Sequence, residues 1–285
     1  MIVSRNDNYG GNLLERSTYC LQSAISTFDE VFYVDWNSPT NSLLEDVKAH
    51  LSFRGNLKHI VVSPAMAESF LEGDQEAQRC CEVLGRNIGI RRATGDWIVS
   101  TNIDIIMPER KVLVNRFQKL DEGTFYTVAR RDVTLEEIAA FHGNDELNYS
   151  DFGPLQDHLV GRNIGPRAPI PEEIGDKHSL IDCCGDFQMA HRNVWNTIRG
   201  FEERFTGALY TDTNVQKKAW QYGHAPEAIF DLPVFHIDHG KGSGGLHESG
   251  SVRRNDIKQA IYSKAVTTNG DDWGFSEEDL EIEIL

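Results

Sequence analysis

Long apolar runs are missing from this sequence. No stretch of its 285 residues approaches the roughly 18 consecutive apolar residues that a membrane-spanning helix needs. The chain also does not begin with a basic segment followed by an apolar one, which is the pattern of a secretion signal. These two absences predict a chain without a membrane span and favour the cytoplasm as its location.

Basic residues are scarce compared with acidic ones. The chain has 28 Lys and Arg against 44 Asp and Glu, which gives a formal net charge of -16 at pH 7. A protein that binds a nucleic-acid backbone needs a basic face that displaces counterions from the phosphates. The charge therefore argues against nucleic acid as a partner, although it is compatible with a small phosphorylated ligand held by local contacts.

Cysteines are few and do not suggest a disulfide framework. There are five, and they include two adjacent pairs: Cys20, Cys80, Cys81, Cys183 and Cys184. An odd number with this spacing fits neither paired disulfides nor a zinc site. We expect reduced cysteines in the core or on helices.

The order of the apolar segments predicts an α/β fold. Short β-branched or aromatic runs at residues 2–3, 31–34 and 59–62 have the length of buried strands, and helical segments starting near Leu14 and Ser42 lie between them. Strand, helix, strand, helix, strand is the order that builds a parallel sheet with right-handed crossovers. With 40% hydrophobic residues, the chain can bury one large core.

Polar residues follow the first two predicted strands. Ser4, Arg5 and Asn6 come directly after the first strand, and Asp35 follows the second. We expect both groups in a ligand site, because ligands of a parallel sheet bind at the carboxyl ends of its strands. Asp35 is suited to accept a hydrogen bond from a base or ribose, and Arg5 is suited to meet a phosphate. The alternative for Asp35 is a simple turn former.

Residues 95–108 combine a buried strand with a polar end. Trp97 begins the apolar run, and Asn102 and Asp104 follow it. Because these two residues are two apart, an extended backbone places both side chains on one face. A carboxylate and an amide there can hold a hard divalent cation that also contacts a diphosphate. A turn with a capping Asp is the competing interpretation.

A helix predicted at residues 76–93 precedes this strand. Its apolar positions recur at helical spacing, and its polar side carries Arg86 and Asn87. We expect Arg86 near the mouth of the site, where its guanidinium can neutralise a diphosphate oxygen. A solvent-facing Arg86 is the ordinary alternative.

The first half of the chain resembles a known family. Its motifs, in order, are VFYVDWNSPT and GRNIGIRRATGDWIVSTNIDIIMP. They are similar to the nucleotide-binding half of GT-A fold glycosyltransferases, in which an Asp contacts the nucleobase, an Arg-Asn-x-Gly helix precedes the central strand, and a D-x-D motif holds Mn²⁺ or Mg²⁺ on the donor diphosphate. The matching residues are Asp35, Arg86-Asn87-Ile88-Gly89 and Asn102-Ile103-Asp104. Asn102 departs from the motif, which usually begins with Asp.

Residues from 182 onward resemble the acceptor half of the same transferases. The matching segments are Gly200-Phe201 with Phe205, and Asp212-Thr213-Asn214-Val215, where Thr211 and Asn214 depart from the family's E-D-x-D pattern. The Asp of that pattern is the general base of inverting members, so the resemblance assigns this role to Asp212. A helix N-cap is the alternative for Asp212. Asp186 is predicted to bind donor or acceptor hydroxyls.

Two histidines follow a strand predicted at Leu232–Phe235. Several families of this fold complete their metal site with a His after the last strand, and the resemblance favours His239 in this role, with His236 in reserve. Lys241 lies in the Gly-rich stretch that follows, and we expect it near a donor phosphate. That stretch lacks the G-x-x-x-x-G-K-[ST] order of a nucleotide-hydrolase loop.

Two segments lack sustained periodicity. Residues 141–180 are rich in Gly, Pro, Asn and Asp, and we interpret them as an insertion that shapes the acceptor site; a surface loop of no specific role is the alternative. A last helix is predicted at residues 257–264. After Lys264, acidic residues accumulate without a basic one, which predicts a solvated or loosely docked tail.

Taken together, these features predict a GT-A-like, Rossmann-type α/β fold with a mostly parallel sheet flanked by helices. We expect a nucleotide-sugar-binding half at 1–108, an acceptor-binding and catalytic half at 109–240, and a Gly-rich loop, final helix and acidic tail at 241–285. The resemblance implies an inverting, Mn²⁺- or Mg²⁺-assisted hexosyl- or pentosyltransferase that uses a nucleoside-diphosphate sugar, with UDP favoured, and a glycan or other hydroxyl acceptor. The alternatives are a nucleotidyltransferase and a non-catalytic sugar-nucleotide or glycan-binding protein.

Overall fold

The computed structural model describes residues 1–71, 81–128, 130–142, 185–206, 211–232, 234–239 and 268–285. Some of the predicted features lie outside these ranges. They are the acceptor-site insertion from residue 143 onward, the Gly-rich stretch with Lys241, the last helix at 257–264, and Cys80 with Cys183 and Cys184.

The strands and helices of the described residues alternate along much of the chain. The strands are β1 (Ile2–Ser4), β2 (Val31–Trp36), β3 (Leu57–Val62), β4 (Trp97–Thr101), β5 (Ile105–Ile106), β6 (Phe125–Val128), β7 (Arg131–Val133), β8 (Phe187–His191), β9 (Pro226–Ile229), β10 (Phe235–Ile237) and β11 (Glu283–Ile284). The helices are α1 (Leu13–Thr27), α2 (Leu43–Val47), α3 (Pro64–Phe70), α4 (Glu82–Arg92), α5 (Arg110–Phe117), α6 (Leu135–His142), α7 (Arg192–Ile198) and α8 (Thr211–Gln221).

Among the described residues, the main sheet contains eight strands in the order β11-β3-β2-β1-β4-β8-β6-β9. β3, β2, β1 and β4 run parallel to one another, as the order of segments predicts. β8 is antiparallel to both of its neighbours, β4 and β6, and β9 is parallel to β6. This α/β architecture confirms the predicted fold class. One sheet joins the two predicted halves of the chain.

Three short strands form a second sheet in the order β5-β10-β7. The sequence predicts a strand at Leu232–Phe235, and this position is wrong, because the paired residues are Phe235–Ile237. Phe235 and Ile237 enter a small core with Val133, and the alternation of a strand turns His236 to the other face. The second sheet therefore places His236 beside the end of β4.

Two glycines of α4 allow this helix to lie close to β1. A Cβ on Gly85 would be 2.8 Å from Cγ1 of Val3, and one on Gly89 would overlap the sulfur of Met1. The Gly of the Arg-Asn-x-Gly motif thus lies directly against the side chain of Met1. The close approach brings Arg86 to β4, where its Nη1 donates to Oγ of Ser100 at 2.8 Å.

Asn87 of the same motif holds the second half of the chain against α4. Its Oδ1 accepts the backbone N–H of Phe201 at 2.8 Å, and its Nδ2 donates to the carbonyl of Phe201 at 2.8 Å. Gly200 has a φ of +63° and passes too close to Asn87 and Trp273 to carry a Cβ. The Gly-Phe segment therefore has a structural role in joining the two halves.

The prediction of a solvated or loosely docked tail is wrong for residues 268–285. Trp273 is 1% exposed and Leu280 is 7% exposed, and both lie in the core cluster on one side of the main sheet. Residues Glu283–Ile284 add the edge strand β11, antiparallel to β3. The number of acidic residues was a poor guide to the position of this segment. Its apolar residues and backbone pack on the rest of the protein, while its charged side chains can remain in solvent.

Two predictions from composition can be compared with the structure. Cys20 and Cys81 are buried and form no disulfide among the described residues, which confirms the prediction for the cysteines that the structure describes. Within the described ranges, no helix combines the length and the apolar character needed to cross a bilayer. The cytoplasmic location stays a prediction.

Candidate metal centre and active site

Asp104 lies in the turn between β4 and β5 and is buried. Its Oδ2 accepts a hydrogen bond from Nη1 of Arg16 at 3.1 Å and lies 3.1 Å from Nε2 of His239. Its Oδ1 is buried and has no hydrogen-bond partner among the described residues. A buried carboxylate oxygen without a partner is costly, so Oδ1 is a natural ligand atom.

Two histidines join this carboxylate. Nε2 of His236, on β10, lies 3.8 Å from Oδ2 of Asp104, and His239 follows two residues after the end of β10. One ligand atom from each of Asp104, His236 and His239 lies within 4.8 Å of the others. The structure thus brings the predicted ligands together. His236 belongs to the same group of possible ligands as His239.

The surroundings of Asp104 favour the ionised form of its carboxyl group. Burial raises the pKa of the Asp104 carboxyl. The hydrogen bond from His239, followed by the charges of His236 and Arg16, outweighs burial, so the pKa lies below its ordinary value. An ionised carboxylate is the form that binds a cation.

The donor set fits a divalent transition metal. Two imidazole nitrogens and one carboxylate, with Oδ1 of Asp104 still unpartnered, are three ligands of a kind found in open metal sites. Nδ1 of His236 lies 2.9 Å from Oδ1 of Asp132, the type of outer contact that metal-bound histidines commonly make. The residues present therefore fit a cation such as Mn²⁺.

Asn102 and Asp104 do not face the same way, contrary to the prediction from their spacing. β4 ends at Thr101 and the chain then turns, so the extended backbone on which the prediction depended is absent here. Nδ2 of Asn102 donates to Oδ1 of Asp186 at 2.6 Å, and its Oδ1 accepts from Arg86. Asp104 turns instead to the histidines.

Arg86 is buried, so the solvent-facing alternative is wrong. Its Nη1 donates to Ser100 and, at 3.3 Å, to the carbonyl of Gly185, while its Nη2 lies 3.3 Å from Oε2 of Glu82. The guanidinium thus joins α4, β4 and the segment that enters β8. Its contact with a donor diphosphate stays a prediction.

Asp186 lies directly before β8 and is also buried. Its Oδ1 accepts from Asn102, and its Oδ2 accepts from Nη1 of Arg130 at 2.6 Å. Nε of Arg130 lies 3.3 Å from Oδ1 of Asp132. Arg130 therefore connects the polar group around Asp186 with the residue behind His236.

Asp212 lies in the first turn of α8, beside the same polar group. A Cβ on Gly185 would be only 3.0 Å from Cβ of Asp212. Oδ1 of Asp212 accepts the backbone N–H of Thr213 at 2.9 Å, and its carbonyl accepts from Nε2 of Gln188 at 3.0 Å. These contacts fix Asp212 next to the carbonyl that binds Arg86; its role as a base stays a prediction.

Asp35 is the second-to-last residue of β2, and both of its carboxylate oxygens accept hydrogen bonds. It is 0% exposed; its Oδ1 accepts from the hydroxyl of Ser38, and its Oδ2 accepts from Ser42 at 2.6 Å and from the backbone N–H of Leu43 at 2.8 Å. In this structure, Asp35 holds the turn that leads into α2, which is the alternative that the sequence left open. A contact between Asp35 and a nucleobase stays a prediction.

Ser4, at the end of β1, and the two residues that follow it make hydrogen bonds or ion pairs with neighbouring residues. Oγ of Ser4 lies 2.7 Å from the hydroxyl of Tyr33, and Nε of Arg5 lies 3.5 Å from Oδ2 of Asp7. The backbone N–H of Asn6 donates to Oγ of Ser38 at 2.8 Å, which joins the loop after β1 to the loop after β2. Donor binding by Ser4, Arg5 and Asn6 stays a prediction.

Two of the solved structures that resemble the chain support an assignment of its fold. One is S. aureus TarS 1-349 in complex with UDP, with a TM-score of 0.52 and 15% sequence identity, covering 92% of this chain and 63% of that one. The other is the mannosyltransferase PcManGT from Pyrobaculum calidifontis in complex with GDP-Man and Mn²⁺, with a TM-score of 0.51 and 16% identity, covering 93% of this chain and 64% of that one. The chain has a GT-A-like glycosyltransferase fold.

At such low sequence identity, the similarity to these two structures establishes only the GT-A fold. No family model and no curated protein matches the chain. The chain spans just under two thirds of the length of each of the two solved proteins.

Three residues of this candidate site were missed by the sequence analysis: Arg16, Arg130 and Asp132. Arg16 carried a signal, because it lies three residues after Leu13 and four before Cys20, on the buried face of α1. A charged residue on an apolar helix face needs a buried partner, which here is Asp104. Arg130 and Asp132 gave no comparable signal, since the short strand β7 lacks a clear alternation.

Proposed function

We propose that the chain is a divalent-metal-assisted glycosyltransferase that moves a sugar from a nucleoside-diphosphate sugar to a hydroxyl group of a glycan or glycoconjugate. The cluster of Asp104, His236 and His239 beyond the end of β4, in a GT-A fold, is the observation that carries the proposal. TarS in complex with UDP and PcManGT in complex with GDP-Man and Mn²⁺ support a nucleotide-sugar donor, and we take UDP-sugars as the first donors to test.

Asp104, His236 and His239 are the proposed metal ligands. A bound divalent cation supplies positive charge that stabilises a departing nucleoside diphosphate. Mg²⁺ strongly prefers oxygen ligands, whereas imidazole nitrogens bind later divalent metals better, so of the two predicted metals the donor set favours Mn²⁺.

Asp212 is the proposed general base. Its carboxylate takes the proton of the acceptor hydroxyl as that oxygen attacks the anomeric carbon of the donor sugar, and the bond from this carbon to the diphosphate breaks. A single displacement of this kind inverts the anomeric configuration. The close approach of Asp212 to Gly185 supports the assignment, because the carbonyl of Gly185 accepts a hydrogen bond from Arg86.

A thermal-shift screen tests the proposal. Nucleoside-diphosphate sugars and nucleoside triphosphates are each added with Mn²⁺, Mg²⁺ or a chelator to the wild type, to Asp104→Ala and to the control Asp29→Ala, whose side chain is 87% exposed. A ligand at a hundred times its dissociation constant stabilises the folded state by about 2.7 kcal/mol. We expect Mn²⁺-dependent stabilisation by one nucleoside-diphosphate sugar in the wild type and the control, and none in Asp104→Ala.

The same screen, followed by an assay of turnover with acceptor mixtures, separates the alternatives. Stabilisation by triphosphates alone would favour a nucleotidyltransferase. Metal-dependent binding of a sugar nucleotide with no turnover in any acceptor mixture would favour a binding protein, and the substitution of Asn102 for the usual Asp is the observation behind that second candidate.

A further inference from the structure

The imidazole of His236 contacts a carboxylate on the side of the ring that faces away from Asp104. Its Nδ1 lies 2.9 Å from Oδ1 of Asp132, while its Nε2 points toward Asp104 at 3.8 Å. An imidazole that donates from Nδ1 to a carboxylate keeps the lone pair on Nε2. Asp132 therefore selects the tautomer in which the nitrogen that faces Asp104 can bind a cation.

The backbone fixes this contact. β7 runs parallel to β10, and in their register Asp132 is paired with His236. The flanking pair of Ile237 and Val133 enters the same small core, which leaves Asp132 and His236 side by side away from that core. The position of Asp132 is thus set by the ladder of the second sheet as well as by its side-chain contacts.

Arg130 forms an ion pair with Asp132. Its Nε lies 3.3 Å from Oδ1 of Asp132, and its Nη1 lies 2.6 Å from Oδ2 of Asp186. One guanidinium therefore spans the space between the carboxylate behind His236 and the polar group next to Asp212. An ion pair alone accounts for the contact with Arg130, but it does not account for the position of His236 on the same oxygen.

We propose that Asp132 is a positioning residue of the metal centre. Asp132 fixes the ring orientation and the tautomer of His236, so that Nε2 of His236 is available to bind the cation. Arg130 keeps Asp132 in place. This inference rests on the proposed function, because it concerns the cation site assigned there. Outer partners of metal-bound histidines typically change metal affinity by about 10- to 100-fold when they are removed.

Binding of Mn²⁺, followed by the electron paramagnetic resonance signal of the free ion, tests this role without an activity assay. The proteins are the wild type, Asp132→Asn, Asp132→Ala, His236→Ala and the control Asp231→Ala, whose aspartate also pairs with an arginine, at 3.0 Å, but is 71% exposed. We expect Asp132→Ala to bind Mn²⁺ about 10- to 100-fold more weakly. Asp132→Asn should fall between it and the wild type, because an amide oxygen still accepts from Nδ1 but carries no charge.

Nitrogen hyperfine coupling of bound Mn²⁺ gives a second readout that a merely structural role would not change. We expect coupling to two imidazole nitrogens in the wild type and the control, and a weaker contribution from one of them in Asp132→Ala. If both Asp132 variants bind Mn²⁺ like the wild type while His236→Ala does not, the inference is wrong and the metal centre stands. If the wild type itself binds no Mn²⁺, the metal centre of the proposed function fails, and the role of Asp132 fails with it.

Discussion

Arg16 and Asp104 form a buried ion pair in which Nη1 of the guanidinium donates to Oδ2 of the carboxylate at 3.1 Å. Arg16 also donates to the carbonyls of Tyr9 and Gly11, so one side chain joins the loop between β1 and α1 to the proposed metal ligand. A cation bound by Asp104 would lie close to this guanidinium. The pair therefore stabilises the metal-free protein and opposes metal binding at the same time.

Replacing Arg16 by Gln should separate these two effects. Removing one partner of a buried pair leaves an uncompensated charge, so we expect the free energy of unfolding without metal to fall by about 3–5 kcal/mol. The stabilisation that Mn²⁺ adds should be larger in Arg16→Gln than in the wild type, because the neighbouring positive charge is gone.

Denaturant unfolding with and without Mn²⁺ measures both quantities. Arg110→Gln is the control, because Arg110 pairs with the exposed Asp29 and such surface pairs contribute about 1 kcal/mol or less. An equal or smaller gain from Mn²⁺ in Arg16→Gln would contradict the view that Arg16 and the cation compete at Asp104.

Two glycines with positive φ provide a matched test of the contact between the halves. An alanine at Gly200 must adopt a left-handed backbone and also meets Asn87 and Trp273, so we expect Gly200→Ala to lower the free energy of unfolding by roughly 2–5 kcal/mol. Gly223 has a φ of +88° with nothing within 4 Å of a Cβ, so Gly223→Ala should lose only about 1–2 kcal/mol. Equal losses in denaturant unfolding would show that close packing at Gly200 is unimportant.

Lys218 should make stability depend on alkaline pH. Burial lowers the pKa of Lys218 to about 8, against the opposing charges of Glu202 and Glu203, and its Nζ donates to the carbonyl of Gly200 at 3.0 Å. Between about pH 8 and the ordinary value of 10.5, the unfolded chain binds a proton that the folded chain has released, so the fold becomes more stable as the pH rises.

The stabilisation due to Lys218 is therefore fully present above pH 10.5 and is lost as the pH falls to about 8. Relative to Lys218→Met, the free energy of unfolding of the wild type should rise by up to about 3 kcal/mol across this window. Denaturant unfolding of both proteins at several pH values measures the difference. A constant difference would show that the lysine has an ordinary pKa.

Asp212→Asn should separate chemistry from binding. We expect kcat to fall by about 10²- to 10⁴-fold, because general base catalysis is lost, while Mn²⁺-dependent donor binding is retained. Glu136→Gln is the control, since Glu136 is also an acidic residue in the first turn of a helix but is exposed. Full transfer by Asp212→Asn would show that another group takes the proton.

The sequence reveals the parallel half of the main sheet because each of its strands is a short apolar run and a helical segment follows it. The resemblance to GT-A glycosyltransferases also pointed to Asp104 and His239, whose side chains lie close together in the structure, and their role as metal ligands stays a prediction. The second sheet is not predictable, because β5, β7 and β10 have only two or three residues each, too few to show a period. The contacts of Arg16, Arg130 and Asp132 depend on long-range packing, which one sequence alone does not encode as a local pattern.

The anomeric configuration of the product tests the central claim most directly. Wild-type protein is incubated with Mn²⁺, the donor found by the thermal-shift screen and a panel of hydroxyl acceptors, and nuclear magnetic resonance follows the anomeric proton. We expect release of a nucleoside diphosphate together with a transferred sugar of inverted configuration, and neither product with Asp104→Ala. A retained configuration would contradict the single displacement with Asp212 as base, and no cleavage of any donor that binds would contradict glycosyl transfer itself.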